Sequence, residues 1–210
     1  MSTTNIRKGI YETNSSSVHV LCINTDKNVK VPDTFVFYSN AEFGWEDDVH
    51  TGSYAAGKYL YKAIKYIGNQ VGGQKWNKSD DHFNLEKKYG INGLPYNNLT
   101  KEQYTKFWDE SKPIRQKYVN DTIDEYKSKV ESILNQYGCI HVVWQPEDDN
   151  FFSYIDHGED LREFVDDVIE CPELLLNFLF GDSKIITGND NCDYDDIPRC
   201  PGTYDYEFIK

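Results

Sequence analysis

IRQKYVNDTIDEYKSKVESILNQYGCIHVVW, residues 114–144, carries both kinds of secondary structure in one run. Ile114, Tyr118, Val119, Ile123, Tyr126, Val130, Ile133, Leu134 and Tyr137 recur at steps of three and four, so a helix gathers them on one stripe. Gly138 stands where the left-handed residue that closes a helix belongs. CIHVVW, 139–144, then reads as a short buried strand stopped by Pro146. A long amphipathic helix handing over to a strand excludes all-α and all-β folds.

The elements upstream extend this pattern. Thr100 and Gln103 form a capping box for a short helix holding Tyr104, Phe107 and Trp108, and Ser111 with Pro113 predicts the start of a second, longer one. Residues 74–99 are polar, rich in Asn, Gly and Lys and without a sustained period, which predicts a long surface excursion. Before it, Ala56, Leu60, Ala63, Ile64, Ile67 and Val71 mark an amphipathic helix that Gly72 and Gly73 are expected to end. SVHVLCI (17–23) and VPDTFVFY (31–38), separated by Asn, Asp and Lys, predict an opening β hairpin.

Downstream, FFSYI (151–155) is expected to pair with 139–144 as a second hairpin. Residues 159–180 predict a helix in two pieces broken around Pro172. KIITG (184–188) reads as the last clear strand, and the acidic tail, 189–210, holds an edge strand in YEFI. The order ββ, α, αα, ββ, α, β fits neither βαβ units nor a repeat. It predicts an α+β fold, a mainly antiparallel sheet packed by helices on one face, in a single domain spanning 1–210.

At 210 residues and 39% hydrophobic composition the chain can bury a core without staples. Its five cysteines are scattered and form no CxxC pair, so free thiols in a reducing compartment are expected, and Cys192 with Cys200 lack the second pair a zinc site needs. No run of eighteen apolar residues and no apolar signal core at MSTTNIRKG points to the cytoplasm, without a membrane partner. The net charge of −13 gathers in residues 140–210, while lysines exceed acids from Lys58 to Lys129. Lys58, Lys62 and Lys65 interleave with tyrosines in a pattern that can bind single strands. It reads more simply as solvated lysines above a tyrosine-rimmed core, and the overall charge argues against nucleic acid.

ETNSSSVH, residues 12–19, spends polar side chains just before and inside a strand that should be core, which is costly unless each finds a partner. A two-residue period sets Ser17, His19 and Leu21 on one face, with Asn14, Ser15 and Ser16 in the preceding loop. One reading is a pocket: His19 as base or hydrogen-bond donor, Ser17 as nucleophile or phosphate ligand, Glu12 as orienting carboxylate, and the hydroxyl-lined turn as a ligand-binding cradle for an anion. The other is a turn that caps its own backbone beside a half-buried histidine.

RKGIYETNSSSVH resembles the opening of a set of small uncharacterised proteins from bacteriophages and low-GC Gram-positive bacteria, which also carry segments like Tyr154–Gly158 and Thr187–Asn191. The resemblance implies a phage-like context and added candidate positions, without a reaction. Asp156, His157 and Asp190 follow expected strands, so three polar clusters at strand ends can converge into an acid/base group or a divalent-metal site; no metal set is specified by spacing, and no cofactor is indicated. GxxxxGK[ST], GxGxxG, HExxH and GxSxG are absent, and DNDNCDYDD lacks the glycine and glutamate of a calcium loop. The sequence therefore predicts an enzyme or ligand-binding domain for a phosphorylated or nucleotide-like molecule. The rival is an acidic accessory protein that blocks a basic site on a host protein.

Overall fold

In a computed structural model of the chain, the residues described are 17–23, 28–39, 43, 48–91, 100–145, 161–189 and 204–209. The fold is α+β. In chain order its elements are β1 (Ser17–Ile23), β2 (Thr34–Phe37), β3 (Asp48–Thr51), α1 (Gly52–Asn77), α2 (Asp80–Lys88), α3 (Lys101–Gln136), β4 (His141–Trp144), α4 (Leu161–Glu170), α5 (Pro172–Phe180), β5 (Lys184–Asn189) and β6 (Tyr204–Ile209). They fall into two compact units. Unit 1 joins Met1–Ile64 to Lys129–Lys210, and unit 2 is Lys65–Ser128.

Unit 1 holds the four-stranded sheet, in the order β3-β5-β1-β6, with every pairing antiparallel. Leu21, Cys22 and Ile23 are all buried, so this stretch of β1 is covered on both faces and reads as a continuous apolar run rather than an alternation. A second, two-stranded sheet pairs β2 with β4 in parallel. Phe37 stacks on Trp144 with centroids 3.9 Å apart, and Phe35 meets both Phe37 and Phe180 edge-on. The expected opening hairpin is therefore not formed: β1 pairs with β5 and β6, and β2 with β4. A parallel pair needs a long crossover, and here the chain between β2 and β4 includes α1, α2 and α3. The second expected hairpin rests on residues 151–155, which lie outside the described residues.

Unit 2 is helical. α1 runs on to Asn77, past the glycines expected to stop it, because Gly72 lies inside a helix contact. A Cβ there would stand 2.6 Å from the Cα of Val119, and one at Gly68 would meet the Ile123 side chain. Residues 74–88, expected as a polar excursion, are mostly helix as well. Ser79 caps α2 by accepting the His82 amide, and Trp76, Leu85, Ile91 and Phe107 form one buried cluster. Apolar anchors this widely spaced give the sequence no readable period. α3 is likewise one helix rather than two. Pro113 lies inside it and removes a single amide donor, while Phe107 and Val119 on either side are buried.

Its two ends follow the sequence. Thr100 and Gln103 exchange side-chain bonds to each other's amides. At the other end Gly138 takes φ +101°, donates to the Asn135 carbonyl and lets Cys139 donate to that of Leu134, closing the last turn as a Schellman motif.

Candidate functional site

Of the residues singled out by the sequence, Ser17 and His19 lie in β1; Glu12, Asn14, Ser15, Ser16, Asp156, His157 and Asp190 lie outside the described residues. The ladder fixes where the two ends of the candidate segments leave the sheet. Ser17 pairs with Asn189, and His19 with Thr187. The residue that precedes Ser17 in the chain is Ser16, and the residue that follows Asn189 is Asp190. Asp48, the first residue of β3, is in turn opposite Thr187.

His19 is buried, at 2% exposure, and its cross-strand neighbour Thr187 at 3%. Its Nδ1 lies 3.3 Å from the hydroxyl of Tyr59, a fully buried residue two turns into α1, and the two rings meet edge-on. Tyr59 is enclosed by aromatic edges: Phe43, with its centroid 5.0 Å away, Phe164 of α4 and Phe178 of α5. Burial in that apolar shell holds the Tyr59 phenol well above its ordinary pKa, so the group stays protonated and acts as a neutral hydrogen-bonding partner rather than a base. With the phenol donating, Nδ1 accepts and the neutral imidazole carries its proton on Nε2; in the other tautomer the phenol oxygen accepts.

His50 extends the group. Its ring meets Phe43 edge-on and its Nδ1 lies 3.8 Å from Asp48 Oδ2. The His19 imidazole thus stands in an enclosed, largely aromatic setting, with the Tyr59 hydroxyl at its Nδ1 and buried Thr187 opposite it in the ladder. Among the described residues no group of three or more His, Cys, Asp or Glu is placed to hold a metal ion. No described helix is long and apolar enough to cross a membrane.

Tyr59 and His50 of this surrounding, and the burial of Lys62, are not legible in the sequence. Tyr59 sits beside Leu60 in the buried stripe of α1, where the sequence suggests only a tyrosine rim. His50 lies in DVHT, too short and polar to read as a strand. Lys62, expected in a solvated stripe with Lys58 and Lys65, is 3% exposed while the other two are half-buried. Lys58 lies over the Tyr54 ring instead. Cys22 and Cys139 are buried, as their apolar runs suggest, and Cys171 is a free, exposed thiol. Compared with protein-family models, with curated proteins and with solved structures, the chain matches none.

Proposed function

We propose that the protein is an enzyme or ligand-binding domain for a phosphorylated or nucleotide-like molecule, with its site at the end of the main sheet where β1 begins and β5 ends. The observation that carries this reading is the pairing of Ser17 with Asn189, two residue pairs along the ladder from His19 and Thr187. It brings together the points at which two of the three polar segments join the sheet. A turn bearing consecutive hydroxyls offers side-chain and backbone donors to an anion. Asp190 is proposed to orient the ligand or its protonated partner, and His19, held by Tyr59, to exchange a proton with it. Glu12, Asp156 and His157 complete the proposed set.

Calorimetric titration with ribonucleotides and sugar phosphates tests the reading, using wild type, Ser17→Ala and Asp190→Asn. A phosphorylated compound should bind the wild type, and each substitution should weaken it by about tenfold, the loss of roughly one hydrogen bond to a charged group. Binding equally strong in both variants would refute the assignment of the site.

One observation favours the acidic accessory reading as a second choice. Unit 2 has eleven basic and nine acidic residues, a net of +2, so unit 1 carries −15 of the chain's −13. A partner held by that charge would dissociate as ionic strength rises, whereas a small ligand in an enclosed site would respond far less.

A further inference from the structure

Three of the seven large apolar side chains that stand exposed among the described residues fall within one short stretch: Tyr137 at 43%, Ile140 at 65% and Val143 at 44%. The stretch is also uncharged. Between Glu131 and Glu147 the chain holds no Lys, Arg, Asp or Glu, its longest run without one. Single apolar residues scattered over a surface need no explanation, but a group of them on an uncharged strand marks a surface that meets another.

β4 lies within this stretch, and its hydrogen bonds show which edge is used. The amide of His141 donates to the Asp33 carbonyl and that of Gln145 to the Phe37 carbonyl, so these residues turn their backbone towards β2. Val142, one residue on from His141, therefore directs its N–H and C=O to the opposite edge. Among the described residues no strand pairs there, and the sheet has two strands. Two strands alone make a marginal sheet, and parallel ones are normally found covered. The edge strands of the larger sheet are protected: β3 begins at Asp48, whose carboxylate accepts the Val49 amide, and β6 carries Asp205 and Glu207. Charge on an edge strand discourages pairing with another chain, and β4 has none.

We propose that the free edge of β4 is a self-association surface, on which a second copy of the chain adds its own β4 antiparallel about a two-fold axis centred on Val142. The two Val142 residues then exchange N–H···O=C bonds, and each exposed Val143 lies across from the His141 of the other copy. The two small sheets become one of four strands. The charge pattern selects this occupant. A chain of net charge −13 repels its own copy over most of its surface, so a self-interface has to lie where the charges are missing. A charged partner, by contrast, finds nothing on this strand to pair with. An edge strand also matches its own copy by symmetry, because an antiparallel pair about a two-fold axis presents the same donors and acceptors from both sides.

Sedimentation of the full chain over a concentration series tests this, together with amide exchange followed residue by residue. The mass should rise from that of one chain to that of two, and the dimer should tighten as salt screens the net charge, the opposite of a complex held by charge. Val142→Lys sets two ammonium groups directly opposite each other and should weaken the dimer about tenfold, while Val142→Thr, β-branched and uncharged, should leave it nearly unchanged. In the wild type the Val142 amide should gain protection as concentration rises, whereas those of His141 and Gln145, already bonded to β2, should change less. If Val142→Lys does not fold, that exchange pattern decides. A wild type that stays monomeric at every concentration, its edge left to the chain's own residues or to another protein, would overturn the proposal. So would a dimer that Val142→Lys leaves intact, or one in which the Val142 amide gains no protection.

Discussion

In the two units α1 meets its neighbours in two ways, through a ring at Tyr59 and through glycines at Gly68 and Gly72. In unit 1 the helices meet through rings: Tyr59, Phe164 and Phe178 touch edge-on, and Phe35, Phe37 and Trp144 form a second aromatic set. In unit 2, α1 and α3 meet at Gly68 and Gly72, where an added methyl group has no room. Rings bring hydroxyl, imidazole and indole groups that must be matched, as buried Tyr59 is with His19 and half-buried Trp144 with Glu131. Glycines leave nothing to match. The difference shows in the polar pairs: Tyr59 and His19 meet inside the core of unit 1, whereas the Lys88–Glu110 and Lys75–Glu125 pairs of unit 2 are exposed.

The largest way to break this contrast is Gly72→Ala. A Cβ there would stand 2.6–2.9 Å from three backbone atoms of Tyr118 and Val119, which cannot move aside as a side chain can. Overpacking costs about 1–3 kcal/mol, and a backbone obstacle belongs at the upper end. Gly73→Ala is the internal control, since its nearest neighbour is the mobile Arg115 guanidinium at 3.5 Å. Hydrogen exchange should show Gly72→Ala loosening α2 and the first part of α3 ahead of β1 and β5. Uniform loosening of both units would mean that they do not open separately.

Tyr59→Phe is the corresponding test of unit 1, with a smaller effect. It keeps the ring contacts and removes one buried hydroxyl, so the expected loss is about 1–2 kcal/mol, the cost of leaving a buried partner without its hydrogen bond. The imidazole resonances of His19 should shift in the same variant. A stability unchanged from wild type would mean that the 3.3 Å separation contributes no hydrogen bond, and that the aromatic packing alone holds Tyr59.

What the sequence made legible follows the same division. Strong local signals were readable: the stripe of α3, its Thr100 cap, the Gly138 stop, and the strands at 17–23 and 184–188. Pairing partners were not, because a strand's edge carries no mark of the strand it will meet, and β2 is claimed by a segment more than a hundred residues away. Gly68 and Gly72 look alike as helix breakers and as close-contact residues, and only the neighbouring helix decides between them. His19 was legible as an expensive polar residue in a core strand. Tyr59, forty residues further on, was not, since nothing local ties a tyrosine in a helical stripe to one particular histidine.

The smallest effect concerns an exposed pair of unit 2, the counterpart of the buried Tyr59–His19 pair. Lys88 Nζ lies 2.6 and 2.7 Å from the two carboxylate oxygens of Glu110, and the Tyr89 hydroxyl donates to the same group at 2.6 Å. The hydrogen bond from Lys88, followed by that from Tyr89, lowers the Glu110 pKa below its ordinary value; the bond to Glu110 correspondingly raises that of Lys88. A carboxyl depressed in the folded state stabilises it fully above the unfolded pKa, and the contribution vanishes as pH falls through the folded one. Wild type should therefore melt slightly higher than Glu110→Gln at neutral pH, and the two curves should converge below the ordinary carboxylate range. Because the pair is exposed, salt should narrow the gap at neutral pH as well. A gap that persisted into acid would show that Glu110 acts through packing rather than charge, and the contrast between the buried Tyr59–His19 pair and the exposed Lys88–Glu110 pair would lose its electrostatic half.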